Sequence, residues 1–77
     1  MVTMAFANLR AVLEAADMTM ADVVRLTLYT TDVDALLASY GAATEALAPN
    51  LPAMTVIGAS RLAFPEIKIE IEATAVR

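Results

Sequence analysis

Phe64-Pro65-Glu66-Ile67-Lys68-Ile69-Glu70-Ile71-Glu72-Ala73-Thr74-Ala75-Val76 alternates polar and apolar side chains over almost its whole length. Ile67, Ile69, Ile71, Ala73 and Ala75 share one side; Glu66, Lys68, Glu70, Glu72 and Thr74 share the other. Successive side chains of a strand point to opposite faces, so the pattern predicts one β-strand with one dry face. A dry face needs a cover, and the upstream sequence supplies candidates.

Ala5, Leu9, Val12, Leu13 and Ala16 recur at helical spacing, with Phe6 beside them. Asp17 ends that helix, as one of the few residue types that tolerate the left-handed conformation. Thr19-x-x-Asp22 forms a capping box for a short turn. Val23 to Thr30 is rich in β-branched and aromatic residues, with Val24, Leu26 and Leu28 on one face of a strand. Thr31-x-x-Asp34 caps a second helix carrying Leu36, Leu37, Tyr40, Ala43, Thr44 and Leu47. Pro49, Asn50 and Pro52 stop it. Ala53 to Ser60 is the next strand, and Gly58 leaves room for another backbone. The order is helix, strand, helix, strand, strand: an α+β chain with two helices on one sheet face.

Composition narrows the function classes. The 77 residues make one small domain, and such chains bury only about 60% of their unfolded surface. Yet 60% of the residues are hydrophobic and mean hydropathy is +0.67. Part of that apolar surface is expected to meet another chain. A membrane role is not expected: no apolar stretch approaches the roughly 20 residues of a spanning helix. Met1-Val2-Thr3-Met4 lacks the basic start of a secretory signal, so a cytoplasmic location is expected. Net charge is −4. The basic residues Arg10, Arg25, Arg61, Lys68 and Arg77 are scattered, so no nucleic-acid partner is expected. There is no cysteine and no histidine, which removes thiol nucleophiles, the usual zinc sites and any Ser-His triad.

Glu70-Ile71-Glu72-Ala73-Thr74-Ala75-Val76, preceded by Arg61-Leu62-Ala63-Phe64-Pro65, resembles the closing strand of the RidA/YjgF family of small trimeric enamine/imine deaminases. Asn8-Leu9 with Val12-Leu13-Glu14-Ala15-Ala16 is similar to the family's first helix. Asp22 to Tyr29 followed by Asp32 is similar to its middle strand, and Pro52-Ala53-x-Thr55 stands where the family carries a Pro-Ala-Arg signature. The resemblance implies a chorismate-mutase-like (RidA-like) fold, a single domain over 1–77 without the family's N-terminal strands, and a homotrimer with active sites in the clefts between subunits. It implies no cofactor.

The resemblance also implies hydrolytic deamination of reactive enamine/imine intermediates, with a small-molecule ligand. In the family the signature arginine grips a substrate carboxylate, and a glutamate on the last strand positions the hydrolytic water. Glu70 matches that glutamate and is the candidate catalytic residue. Met54 stands in place of the arginine. A guanidinium offers a planar fork of donors and a thioether offers none. Arg61, the nearest guanidinium in sequence, has the opposite strand parity and lies about 23 Å along an extended chain. Val56 replaces a small polar residue, and Tyr40 stands near a family asparagine. Activity is therefore doubtful. The alternatives are a non-catalytic small-ligand-binding or assembly module of the same fold, or a truncated gene product.

Each residue also has a plainer reading. Glu70 by periodicity alone is an exposed carboxylate on the polar face of an edge strand. Glu70 and Glu72 lie roughly 7 Å apart, but Lys68 beside them suggests a solvated charge ladder more than a dyad. Met1, Met4, Met18, Met20 and Met54 suit a soft ligand surface, or simple filling. Tyr29 and Tyr40 are packing residues with a wet hydroxyl.

Overall fold

The computed structural model describes residues 2–49 and 51–77; for Val2, Thr3, Ala42, Ala43 and Ala46 it describes the backbone alone. Met1 and Asn50 lie outside the described residues, so the parts expected of them as a soft methionine and a helix stop are not placed. The elements are α1 (Val2–Ala15), a 3-10 turn (Met20–Asp22), β1 (Val23–Thr30), α2 (Val33–Ala38), α3 (Tyr40–Leu47), β2 (Ala53–Gly58) and β3 (Ile69–Ala75). The sheet order is β2-β1-β3. β1 runs parallel to β2 and antiparallel to β3. The helices cover one face of this sheet, giving the α+β architecture read from the sequence.

The core is built on the central strand. Leu26 and Leu28 are fully buried, and Phe6, Leu13, Val23, Leu36 and Leu47 close around them. Asp17 sits at φ 61° where α1 ends, the conformation its side chain was expected to tolerate. The Thr19 capping box forms: its hydroxyl accepts from Ala21 N, and Asp22 Oδ2 accepts from Thr19 N at 2.9 Å.

Several local expectations change, each for a physical reason. Val24 does not share a face with Leu26 and Leu28. The β1–β3 register shifts between Val23 and Arg25, a bulge that leaves Val24 unpaired and 51% exposed while Val23 is buried. Val12 is 67% exposed, because the inward stripe of α1 is the narrow one of Phe6, Leu9 and Leu13. Ala16, past the end of α1, is exposed too. The second helix is two helices. It breaks at Ser39, whose N–H bonds Leu36 O three residues back. Its cap is Asp32 rather than Thr31, with Asp32 Oδ1 accepting from Ala35 N at 3.0 Å. Leu37 is exposed because Leu36 already fills the inward position. The strand expected to reach Ser60 ends at Gly58, and the closing strand starts at Ile69, after a bend and turn through 63–66.

Gly58 does permit a close approach, but by a side chain. An added Cβ would lie 2.9 Å from Val33 Cγ2 at the start of α2. A β-branched side chain has little freedom to yield. Gly58→Ala is expected to lower stability by about 1–3 kcal/mol through overpacking. A thermal melt unchanged from the parent would show that α2 shifts freely.

Candidate functional site

The alternation of β1 and β3 assigns every candidate side chain to a face. Leu26, Leu28 and Thr30 point to the helices and are buried. Arg25, Thr27 and Tyr29 therefore point to the open face. On β3, Ile69, Ile71, Ala73 and Ala75 are half-buried on the helix side, and Glu70, Glu72 and Thr74 are exposed on the other. Glu70 thus stands on the open face, directly across from Tyr29. That is where the alternating pattern puts it.

Its neighbours were not read from the sequence. Tyr29 Oη donates to Glu72 Oε1 at 3.5 Å, a long contact, and Arg25 Nη2 donates to Thr74 Oγ1 at 3.3 Å. Arg25 and Tyr29 have the parity of Glu70 and sit on the paired strand. That relation needs the β1–β3 register, which no local pattern contains. The open face therefore joins two carboxylates, one guanidinium and one phenol. Lys68 lies just before β3, and its carbonyl accepts from Thr30 Oγ1 at 2.9 Å and Thr31 N at 3.3 Å.

Met54 lies on the other side. It pairs with Leu26, and Val56 pairs with Leu28, so both face the helix layer and pack against the core. The open-face neighbours on β2 are Ala53, Thr55 and Ile57. Tyr40, the first residue of α3, donates its hydroxyl to Met54 Sδ at 3.7 Å. Tyr40 and Met54 are therefore brought together, while Glu70 is separated from both by β1 and by the thickness of the sheet. Arg61 lies beyond the end of β2, exposed in the connection to β3.

Two concavities flank Ile69. A cleft of about 560 Å³ is lined by Thr31, Asp32, Ala35, Leu36, Ser39 and Lys68, among others. A groove of about 420 Å³ runs between α1 and β3, walled by Leu9, Val12, Leu13, Ile69, Ile71 and Ala73. Neither contains Glu70 or Met54. Among the described residues, no helix is long and apolar enough to cross a membrane.

Residues 2–77 match the protein family described as Endoribonuclease L-PSP. No curated protein sequence matches the chain. Solved structures do. A Mycobacterium tuberculosis member of the YjgF/YER057c/UK114 family superposes with a TM-score of 0.90 at 28% identity, over 96% of this chain and 63% of its own. The Yersinia pestis protein YyfB, of the conserved Rid family, gives a TM-score of 0.81 at 45% identity, over 91% and 55%. Escherichia coli TdcF, solved with bound serine, gives 0.83 at 25% identity, over 99% and 61%. The chain thus spans between 55% and 63% of the length of these relatives.

Proposed function

Because the chain belongs to the Endoribonuclease L-PSP family, the YjgF/Rid group, we propose that it is a Rid-type subunit binding a small molecule at a site shared between chains. Hydrolysis of carboxylate-bearing imines, the activity that the RidA/YjgF resemblance implies, is weak in it. One observation carries this reading. The signature position, Met54, faces the helix layer beside Tyr40, and Glu70 faces the open side of the opposite edge strand. Two strand spacings, about 9–10 Å, and the sheet itself separate them. A single ligand touching both positions needs two chains, one offering the Tyr40–Met54 side and the other its open face. A homotrimer with clefts between subunits meets that need.

The proposed roles follow from chemistry. Glu70 holds and polarises the attacking water. Met54 offers no donor, so a substrate carboxylate is left without its charge-assisted fork. The Tyr40 hydroxyl, already turned towards sulfur, favours the alternative of a non-catalytic module that takes a small uncharged ligand. An RNA-directed role is disfavoured, since the open face sets Glu70 and Glu72 against Arg25 and net charge is −4.

Assembly is the first test. Val24, Leu37, Leu51, Ile57, Phe64 and Val76 are large, apolar and exposed, side chains that a neighbouring chain in an assembly would cover. Static light scattering over a dilution series is expected to give a trimer mass. A well-folded monomer at every concentration would refute the shared site.

A further inference from the structure

We propose that Met54 is a reversible oxidation site, which peroxide converts to a sulfoxide held by the Tyr40 hydroxyl. Met54 lies on β2, at the edge of the sheet away from β3, half-buried against the core. Tyr40 Oη donates to its Sδ at 3.7 Å. Met18 and Met20 pack against the same core, but among the described residues Met54 alone has a hydroxyl aimed at its sulfur. A thioether is a weak acceptor, so the reduced pair gains little from this contact.

Oxidation changes that. A sulfur lone pair attacks the nearer oxygen of hydrogen peroxide, and the O–O bond breaks. Sulfur gives up an electron pair. The departing oxygen takes the pair and the proton of the transferred oxygen, and leaves as water. The product is a polar sulfoxide at a half-buried position. Unpaired there, its oxygen would carry a desolvation cost. The rotatable bonds of methionine let that oxygen turn to the Tyr40 hydroxyl, which satisfies it. Dedicated reductases return the sulfoxide to the thioether, so the change is reversible. In the proposed assembly this side faces the ligand cleft, which leaves it open to a molecule as small as peroxide. The chemistry itself is independent of imine hydrolysis.

The test uses the full chain, isotope-labelled at the methionine methyls and the tyrosine rings. Millimolar hydrogen peroxide is added and each signal is followed by NMR. Met4, 70% exposed, is expected to oxidise first, and Met54 within about tenfold of its rate, since half-burial slows attack without preventing it. The Tyr40 ring signals are expected to move as the Met54 methyl converts, a readout that needs no variant. Thermal melts before and after oxidation then isolate the hydroxyl. The fall in Tm on oxidation is expected to be at least about twofold larger in Tyr40→Phe than in the parent, because the sulfoxide loses its donor. In a Met54→Leu background, Tyr40→Phe is expected to leave that fall unchanged. Treatment with the two methionine sulfoxide reductases is expected to restore the Met54 signal. Four results would each overturn the proposal: an untouched Met54 in protein whose Met4 is fully oxidised, Tyr40 signals that stay still as Met54 converts, an equal fall in Tm with and without the Tyr40 hydroxyl, or a Met54 sulfoxide that neither reductase removes.

Discussion

Hydrolysis of a carboxylate-bearing imine by this chain is expected to run a factor of roughly 30 to 150 below that of the same site with a guanidinium at position 54. The estimate is the loss of a charge-assisted bidentate contact, about 2–3 kcal/mol, converted at 1.36 kcal/mol per tenfold. Met54→Arg is expected to recover part of the rate. The recovery has two limits. The new guanidinium enters a half-buried position beside Tyr40, where desolvation opposes it. Under the proposed shared site it also needs Glu70 from another chain, so the gain should vanish below the concentration at which the assembly dissociates. Glu70→Ala in the Met54→Arg background is expected to abolish the gain. The measurement is imine disappearance against enzyme concentration for the parent and both variants. Fast turnover by the parent, lost in Glu70→Ala, would mean that the missing arginine carries less than its chemistry suggests.

The second large effect concerns the core. Leu28→Ala is expected to cost about 2–5 kcal/mol, the transfer loss plus the cavity left behind. Domains of this kind hold only about 5–15 kcal/mol in total, and a short chain sits near the lower end. Leu28 is fully buried on the one strand that both edge strands pair with, so few atoms can relax into the gap. Loss of a cooperative thermal transition is the expected result. Val12→Ala is the control: it lies on a helix at a position that periodicity assigns inward, yet it is 67% exposed, so it should change stability by less than about 0.5 kcal/mol. A Leu28→Ala protein melting like its parent, or a Val12→Ala protein that fails to melt cooperatively, would refute this placement of the core.

That contrast shows how much was legible in the sequence. Alternation in 67–75 gave the facing of Glu70 correctly, since a period of two survives any change of partner. The left-handed turn at Asp17 and the capping box at Thr19 were legible for the same reason: each is closed by residues within five positions of one another. Val12 and Leu37 were misplaced because helical spacing marks an apolar arc, while the width of the buried stripe depends on what lies beneath. The site divides along the same line. Glu70 came from a local pattern together with a family resemblance. Its companions Arg25 and Tyr29 depend on a register set between residues more than forty positions apart. The side on which Met54 stands was left open by the sequence, because an isolated short strand does not say which of its faces is dry; pairing with Leu26 decides it.

The bulge at Val24 has a consequence for how this chain tolerates change. In a regular strand, length and facing are locked together: adding or dropping one residue turns every side chain on one side of the change to the opposite face. At Val24 they are uncoupled. Val23 and Leu26 point inward and Arg25 outward, which is the alternation the strand would have if Val24 were not there. The extra residue works as a phase slip, taking up a difference in chain length at the entry to the strand. The carboxylate-facing surface from Arg25 onward is thereby insulated from whatever the preceding turn does.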